Sequence, residues 1–312
     1  MNTTQLLKLL VTNRELIVRN NAHAEEHLHM LAEDFAHIKD DEVLLALELN
    51  KSLAEKHLHS NYKKAIENSL KAIDTFKGSP HTFFIARHYW VVGHSYIQLG
   101  QHDEAEINLN KSLETVMDDE DSMTTIKTDA LIALAMNEEF RNGFSGSPRA
   151  AEHVKQALEL LKDERFAIRR AGSLMALGNV VINAGDNEEA LKIYMQAAEI
   201  YERVFDLVNM AAVYSNIGTC YIQRHQFDKA EEYLSKSLDL RIKLGAPDET
   251  SISFYNLAVV YKETNRLAEA RDLLLKSKEI LLKTGNKPHL KKTNIQLKEV
   301  ESLLHTALIA AA

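Results

Sequence analysis

The segment Ser215–Gly245, SNIGTCYIQRHQFDKAEEYLSKSLDLRIKLG, returns 40 residues later as Tyr255–Gly285, YNLAVVYKETNRLAEARDLLLKSKEILLKTG. Self-similarity at such a period limits the fold more than any local propensity. Each repeat is one supersecondary unit that cannot bury its apolar face alone, so successive units must stack. The small residue Gly218 serves as an anchor. Equivalent anchors are Leu53, Gly93, Ala135, Gly178 and Ala258, which gives steps of 40, 42, 43, 40 and 40 residues. Twelve residues after five of these anchors stands an alanine: Ala65, Ala105, Ala190, Ala230 and Ala270. In the unit anchored at Ala135 the count slips, because the insertion NGFSGSP displaces the Ala150–Ala151 pair.

Within a unit, apolar residues recur at helical spacing on both sides of a short polar break, as in Tyr214, Ile217, Tyr221 and then Ala230, Tyr233, Leu234, Leu238. Each unit therefore reads as a pair of helices. The 4 Pro and 11 Gly are too few for the turns of an all-β chain. The breaks LGQHDEA, AGDNEEA and RHQFDKA carry residues expected to end one helix and cap the next. Pro80, Pro247 and Pro288 stand near the starts of first helices, and Pro148 at the start of a second, where a missing N–H costs little. Small anchors on both helices let the two backbones approach closely, with large neighbours filling the grooves.

This pattern of a large residue, Leu-Gly, Tyr, Ala, a large residue and a small one resembles the tetratricopeptide repeat. One unit carries it as Tyr89, Val92, Gly93, Tyr96, Ala105, Leu109 and Ser112, and another as Tyr214, Ile217, Gly218, Tyr221, Ala230, Leu234 and Ser237. The Gly178 and Ala258 units match equally well, and those at Leu53 and Ala135 are degenerate. The 40-residue spacing is similar to the long repeats of kinesin light chain, spindle-orientation adaptors, and bacterial Rap-type receptors and sensor-kinase or cyclase regulatory regions. The resemblance implies an all-α, right-handed α-solenoid of helical hairpins. Residues 1–40 are expected to form an amino-terminal helical cap, 41–285 six repeats, and 286–312 a carboxy-terminal capping helix.

The formal charge of −8 argues against nucleic-acid and anionic-membrane partners, which are bound through clustered Lys and Arg. The densest basic stretch, Lys287–Lys298, reads as a solvated helix face. A single cysteine, Cys220, excludes an intramolecular disulfide framework. The stretch MNTTQLLKLLVTNREL does not read as a secretory leader and no apolar run reaches membrane-spanning length, so a cytoplasmic location is expected. His23 and His27 have the i, i+4 spacing of two metal ligands but lack the HExxH glutamate placement, and a polar helix face is the simpler reading. No phosphate-binding loop, dinucleotide fingerprint, nucleophile elbow or CxxC occurs. The expectation is a chain without enzyme activity, cofactor or metal, whose partner is a protein or peptide.

In the family that the repeats resemble, ligands lie on the face formed by the first helices. Carried over position by position, the groove comprises Arg87, Trp90 and His94, then Asp129, Ile132, Met136 and Phe140. It continues with Met175, Asn179, Ile182 and Asn183, then Ser215, Asn216 and Thr219, and finally Tyr255, Val259 and Lys262. Asn179 and Asn216 match two asparagines of the carboxylate clamp that some members use for chaperone tails. The basic members of that clamp are missing, with Met175, Ile252 and Asn256 in their places, so a chaperone-tail clamp is rejected. The function implied is a non-catalytic scaffold. The alternative is a sensory or regulatory module of a signalling system, with a histidine kinase, cyclase or response regulator as effector.

Overall fold

The computed structural model describes residues 2–18, 21, 23–35, 37–117 and 120–311, the last four by their backbone only. Met1, Arg19, Asn20, Ala22 and Ala36 of the expected amino-terminal cap, and Ala312 of the carboxy-terminal one, lie outside the described residues. The protein is all-α, and among the described residues there is no strand.

The chain divides into two compact units, Met1–Glu164 and Arg165–Ala312. The first holds α1 (Thr3–Val18), α2 (Ala24–Asp34), α3 (Asp41–His57), α4 (Tyr62–Thr75), α5 (Thr82–Gln98), α6 (His102–Thr115), α7 (Glu120–Arg141) and α8 (Pro148–Leu160). Here α3–α4, α5–α6 and α7–α8 pair as hairpins, the first helices α3, α5 and α7 pack one on the next, and α1 packs on α3. The second holds α9 (Ala167–Asn183), α10 (Asn187–Arg203), α11 (Leu207–Gln223), α12 (Phe227–Leu244), α13 (Pro247–Glu263), α14 (Leu267–Thr284) and α15 (Lys287–Ala311). Its hairpins are α9–α10, α11–α12 and α13–α14, with α15 packed on α14. Each unit is a segment of α-solenoid.

The anchors do what close approach demands. A Cβ built on Gly218 would sit 2.6 Å from Cγ of Leu234, and one on Gly93 2.7 Å from Cγ of Leu109. On Gly178 it would sit 2.5 Å from the Tyr194 ring. In all three hairpins the large residue sixteen positions on, from the second helix, lies directly over the glycine. Ala105, Ala190, Ala230 and Ala270 have no exposed surface, which keeps the backbones within van der Waals reach.

The breaks are less uniform than their sequences suggest. Gly100 and Gly185 adopt positive φ, and Asp186 caps α10 by accepting from the Glu189 N–H at 3.0 Å. In RHQFDKA the left-handed position falls to His225, with φ 54°. The caps of α6 and α12 are Gln101 and Gln226, whose side chains make no capping bond. The acids expected to cap, Asp103 and Asp228, stand at the second helical position, where they face the positive end of the helix dipole instead.

The insertion NGFSGSP folds around one carboxylate. Glu139, buried at the end of α7, accepts from the Ser147 N–H at 2.6 Å and the Gly146 N–H at 3.3 Å. Ser147 then caps α8 and Pro148 opens it. This satisfies backbone donors that the loop would otherwise bury unpaired.

Candidate functional site

In the first unit the inner side chains of α1, α3, α5 and α7 form a cluster rich in cations and aromatic rings. At its centre is Trp90, half-buried on α5, whose indole N–H donates to the Asp129 backbone carbonyl at 3.1 Å. Two cations stand against its ring: Lys56 Nζ at 4.9 Å and the Arg87 guanidinium at 5.8 Å from the centroid. Arg87 also donates to the Asp129 carboxylate at 2.7 Å, so Arg87 and Trp90 both tie α5 to α7. The His94 ring lies 5.2 Å from the indole, and burial pushes its pKa down to about 3, with Lys56 and His57 adding repulsion.

Lys56, near the end of α3, is only 5% exposed. Its ammonium meets His57 Nε2 at 3.1 Å, and burial pushes its pKa down to about 8. Deeper in the cluster, Arg14 of α1 donates to Asn50 Oδ1 at 3.1 Å and stands 6.0 Å from the Phe84 ring. Burial, and then the nearby Arg87, push its pKa down to about 10. Asn50 is fully buried and donates to the Leu10 carbonyl and to Asn13 Oδ1, at 2.8 and 3.1 Å.

Lys56, His57, Asn50 and Arg14 were not among the groove residues read from the sequence. The signal for Asn50 was register: it stands three residues before its anchor Leu53, as Trp90 does before Gly93. Of the predicted residues on α7, Ile132 is partly buried, and Met136 is partly buried against the core cluster that includes Ile97, Leu109 and Leu134. Phe140 is 40% exposed and meets the Phe144 ring at a tilt of 56°, with centroids 4.9 Å apart.

In the second unit the predicted residues form a chain of amides and hydroxyls. Asn179 Oδ1 accepts from Tyr194 Oη at 2.6 Å and from Asn216 Nδ2 at 3.5 Å. Ser215 is buried, and its Oγ accepts from Asn256 Nδ2 at 3.3 Å, while Thr219 donates to the Ser215 carbonyl. Met175, Ile182 and Val259 are partly buried and Asn183 is exposed. Tyr255 lines a cavity of about 170 Å³ with Asn256, His289 and Lys292. Lys262 pairs with Glu299 of α15 at 2.9 Å.

Cys220 is fully buried, and burial pushes its thiol up to about 11, leaving no thiolate near neutral pH. Among the described residues no three His, Cys, Asp or Glu side chains are placed to hold a metal ion, and no helix is long and apolar enough to cross a membrane.

Tetratricopeptide-repeat family models match residues 86–115, 170–207 and 209–283, covering the α5–α6, α9–α10, α11–α12 and α13–α14 hairpins. Together with the anchor packing they define the class: the chain is a tetratricopeptide-repeat protein. It is 29% identical over 126 residues to the 43 kDa receptor-associated protein of the synapse from Gallus gallus. That overlap spans 37% of this chain and only 31% of the relative. The apo form of RapI superposes with a TM-score of 0.70 at 17% identity, covering 97% of this chain and 87% of that one. NprR in complex with its cognate peptide NprX gives 0.55 at 19% identity, covering 97% and 84%. At these identities the structural likeness establishes a shared fold.

Proposed function

We propose that the chain is a non-catalytic scaffold that binds a protein or peptide along its first-helix faces. In the first unit the surface comprises Arg87, Trp90, His94, Asp129, Ile132, Met136 and Phe140. In the second it comprises Met175, Asn179, Ile182, Asn183, Ser215, Asn216, Thr219, Tyr255, Val259 and Lys262. The observation that carries this reading is the fixing of Trp90. Its side chain is only partly buried and is held by a hydrogen bond across two helices and by two flanking cations. An aromatic anchor immobilised beforehand loses little entropy on binding. NprR, which shares the fold, has been captured with a peptide, and this supports the same use of the repeats here.

The test is an affinity pull-down from lysate with mass spectrometry, comparing wild type with a Trp90→Ala, Met136→Ala, Tyr255→Ala variant shown to be folded by circular dichroism. A partner held by wild type and lost by the folded variant supports the groove; a partner held equally by both moves the site elsewhere. A regulatory module of a signalling assembly is the second reading, favoured by Ile295 and Leu303 on α15. These are 60% and 43% exposed, apolar side chains that a neighbouring domain would cover. Recovery of a kinase, cyclase or response regulator that Ile295→Lys releases would favour it.

A further inference from the structure

Among the groups clustered on the inner helices of the first unit, Lys56 has the least ordinary environment. A lysine this buried normally has a carboxylate partner, because an ammonium withdrawn from water without one carries a large desolvation cost. Lys56 has none among the described residues; its bonded neighbour is a neutral imidazole, and an indole ring lies alongside. Two further cations of the same inner helices are Arg87, on the same indole ring as Lys56, and Arg14, whose pKa is held down by burial and then by Arg87. Arg14 has an amide as its bonded partner, and the Asp129 carboxylate is engaged by Arg87. His94 adds a buried Nδ1 that no protein group meets. A chain with a formal charge of −8 has thus gathered positive charge on one inner surface and left part of it uncompensated.

We propose that this cluster binds a carboxylate of an acidic peptide, with Lys56 as the direct ion-pair donor. The inference rests on the peptide-binding reading above and adds the chemistry of the ligand. A carboxylate would take up the donor capacity that Lys56 has left after His57, since an ammonium has three N–H groups. Arg14 would add to the attraction without touching the ligand. Burial lowers the Lys56 pKa only to about 8, so the cation persists at neutral pH. One ammonium flanked by neutral histidines and aromatic rings suits a singly charged group. A polyanion such as a nucleic acid needs a row of exposed cations, which this surface lacks, and would be repelled by the chain as a whole.

Two peptide sources share this chemistry, an Asp or Glu side chain and the carboxy terminus. The experiment is selection of the full chain against two random hexapeptide bead libraries free of tryptophan, one with free and one with amidated carboxy termini. The best peptide from each is then titrated using the fluorescence of Trp90, the only tryptophan. Enrichment of Asp or Glu in both libraries assigns the side chain; acid-free peptides enriched only in the free-terminus library assign the terminus. In either case Lys56→Met is expected to weaken binding about tenfold or more while Lys56→Arg retains most of it. The methionine variant should melt at or above the wild-type temperature, and Lys56→Gln is a second neutral variant should it misfold. Acid-free peptides enriched from the amidated library, or unchanged affinity in the folded neutral variants, would overturn the proposal and leave the groove reading standing. If neither library yields a binder, both fall.

Discussion

The hydroxyl of Ser237 on α12 donates to the backbone carbonyl of Ala211 on α11, 2.7 Å away and 26 residues back in the chain. Ser112 makes the same bond to Ala86, at 2.8 Å and the same separation. The final small residue of the repeat is thus more than a spacer in these hairpins, because it stitches the second helix to the first. The Gly178 hairpin has Ala197 in this place and forgoes the bond. Each carbonyl has a second lone pair available for its own helix, so removal leaves no acceptor wholly unpaired. Ser237→Ala is expected to cost about 1 kcal/mol. Urea denaturation checks it, and a loss of several kcal/mol would show that the hydroxyl does more than this.

The anchor glycines should differ in tolerance. Adding a methyl to Gly218 gains helix propensity of about 1 kcal/mol, which offsets the cost of the shift that Leu234, a flexible side chain, must make to admit it. The pairing of Ala258 with a fully buried Leu274 shows that such an arrangement packs. Gly178 faces the rigid Tyr194 ring, whose hydroxyl is fixed to Asn179. Gly218→Ala is therefore expected to be near neutral and Gly178→Ala to lose about 1 to 3 kcal/mol by overpacking. Equal shifts in melting temperature would contradict this.

Acid should destabilise the first unit. Burial pushes the His88 pKa down to about 4 from 6.5, opposed in part by its contact with the Leu45 carbonyl and reinforced by Arg14. Between those values the unfolded chain binds more protons than the folded one. Stability is then complete above about pH 6.5 and declines toward pH 4, with a slope approaching about 1.4 kcal/mol per pH unit for this residue. His57 and His94, held down to about 4 and about 3, act in the same direction. Denaturation midpoints at pH 7, 6 and 5 measure the slope, and His88→Leu should reduce it.

Glu139 should hold the long turn between α7 and α8. Its replacement by alanine leaves the buried Ser147 N–H without its acceptor, at an expected cost of about 2 kcal/mol. Limited proteolysis should then cut within residues 142–147 faster than in wild type, with Glu139→Gln intermediate. Cleavage at the wild-type rate in both variants would place the constraint elsewhere.

The hairpins were legible because anchors separated by whole repeats carry the same residue types, and the packing of Leu234 on Gly218 is local to one hairpin. Trp90 could be placed on a first helix for the same reason. The cations around it could not. Lys56 belongs to the unit whose anchor has drifted to leucine, and Arg14 lies in α1, outside the repeat altogether. Asn50 is fixed by Leu10 and Asn13, contacts 40 and 37 residues distant. Glu139 reads as one more acid at a helix end until the inserted loop folds back over it. Periodicity reports what the units share, and these residues are where the units differ.

Tyr194 is a core residue, 1% exposed, yet its hydroxyl ends on Asn179, whose carbonyl oxygen also accepts from Asn216. The interior of this hairpin and the outward amides of two first helices thus share one hydrogen-bonded circuit. A change of Tyr194 to phenylalanine, silent by any measure of volume, would release Asn179 to turn its amide. Descendants of such a chain could acquire new preferences through substitutions that no partner ever touches.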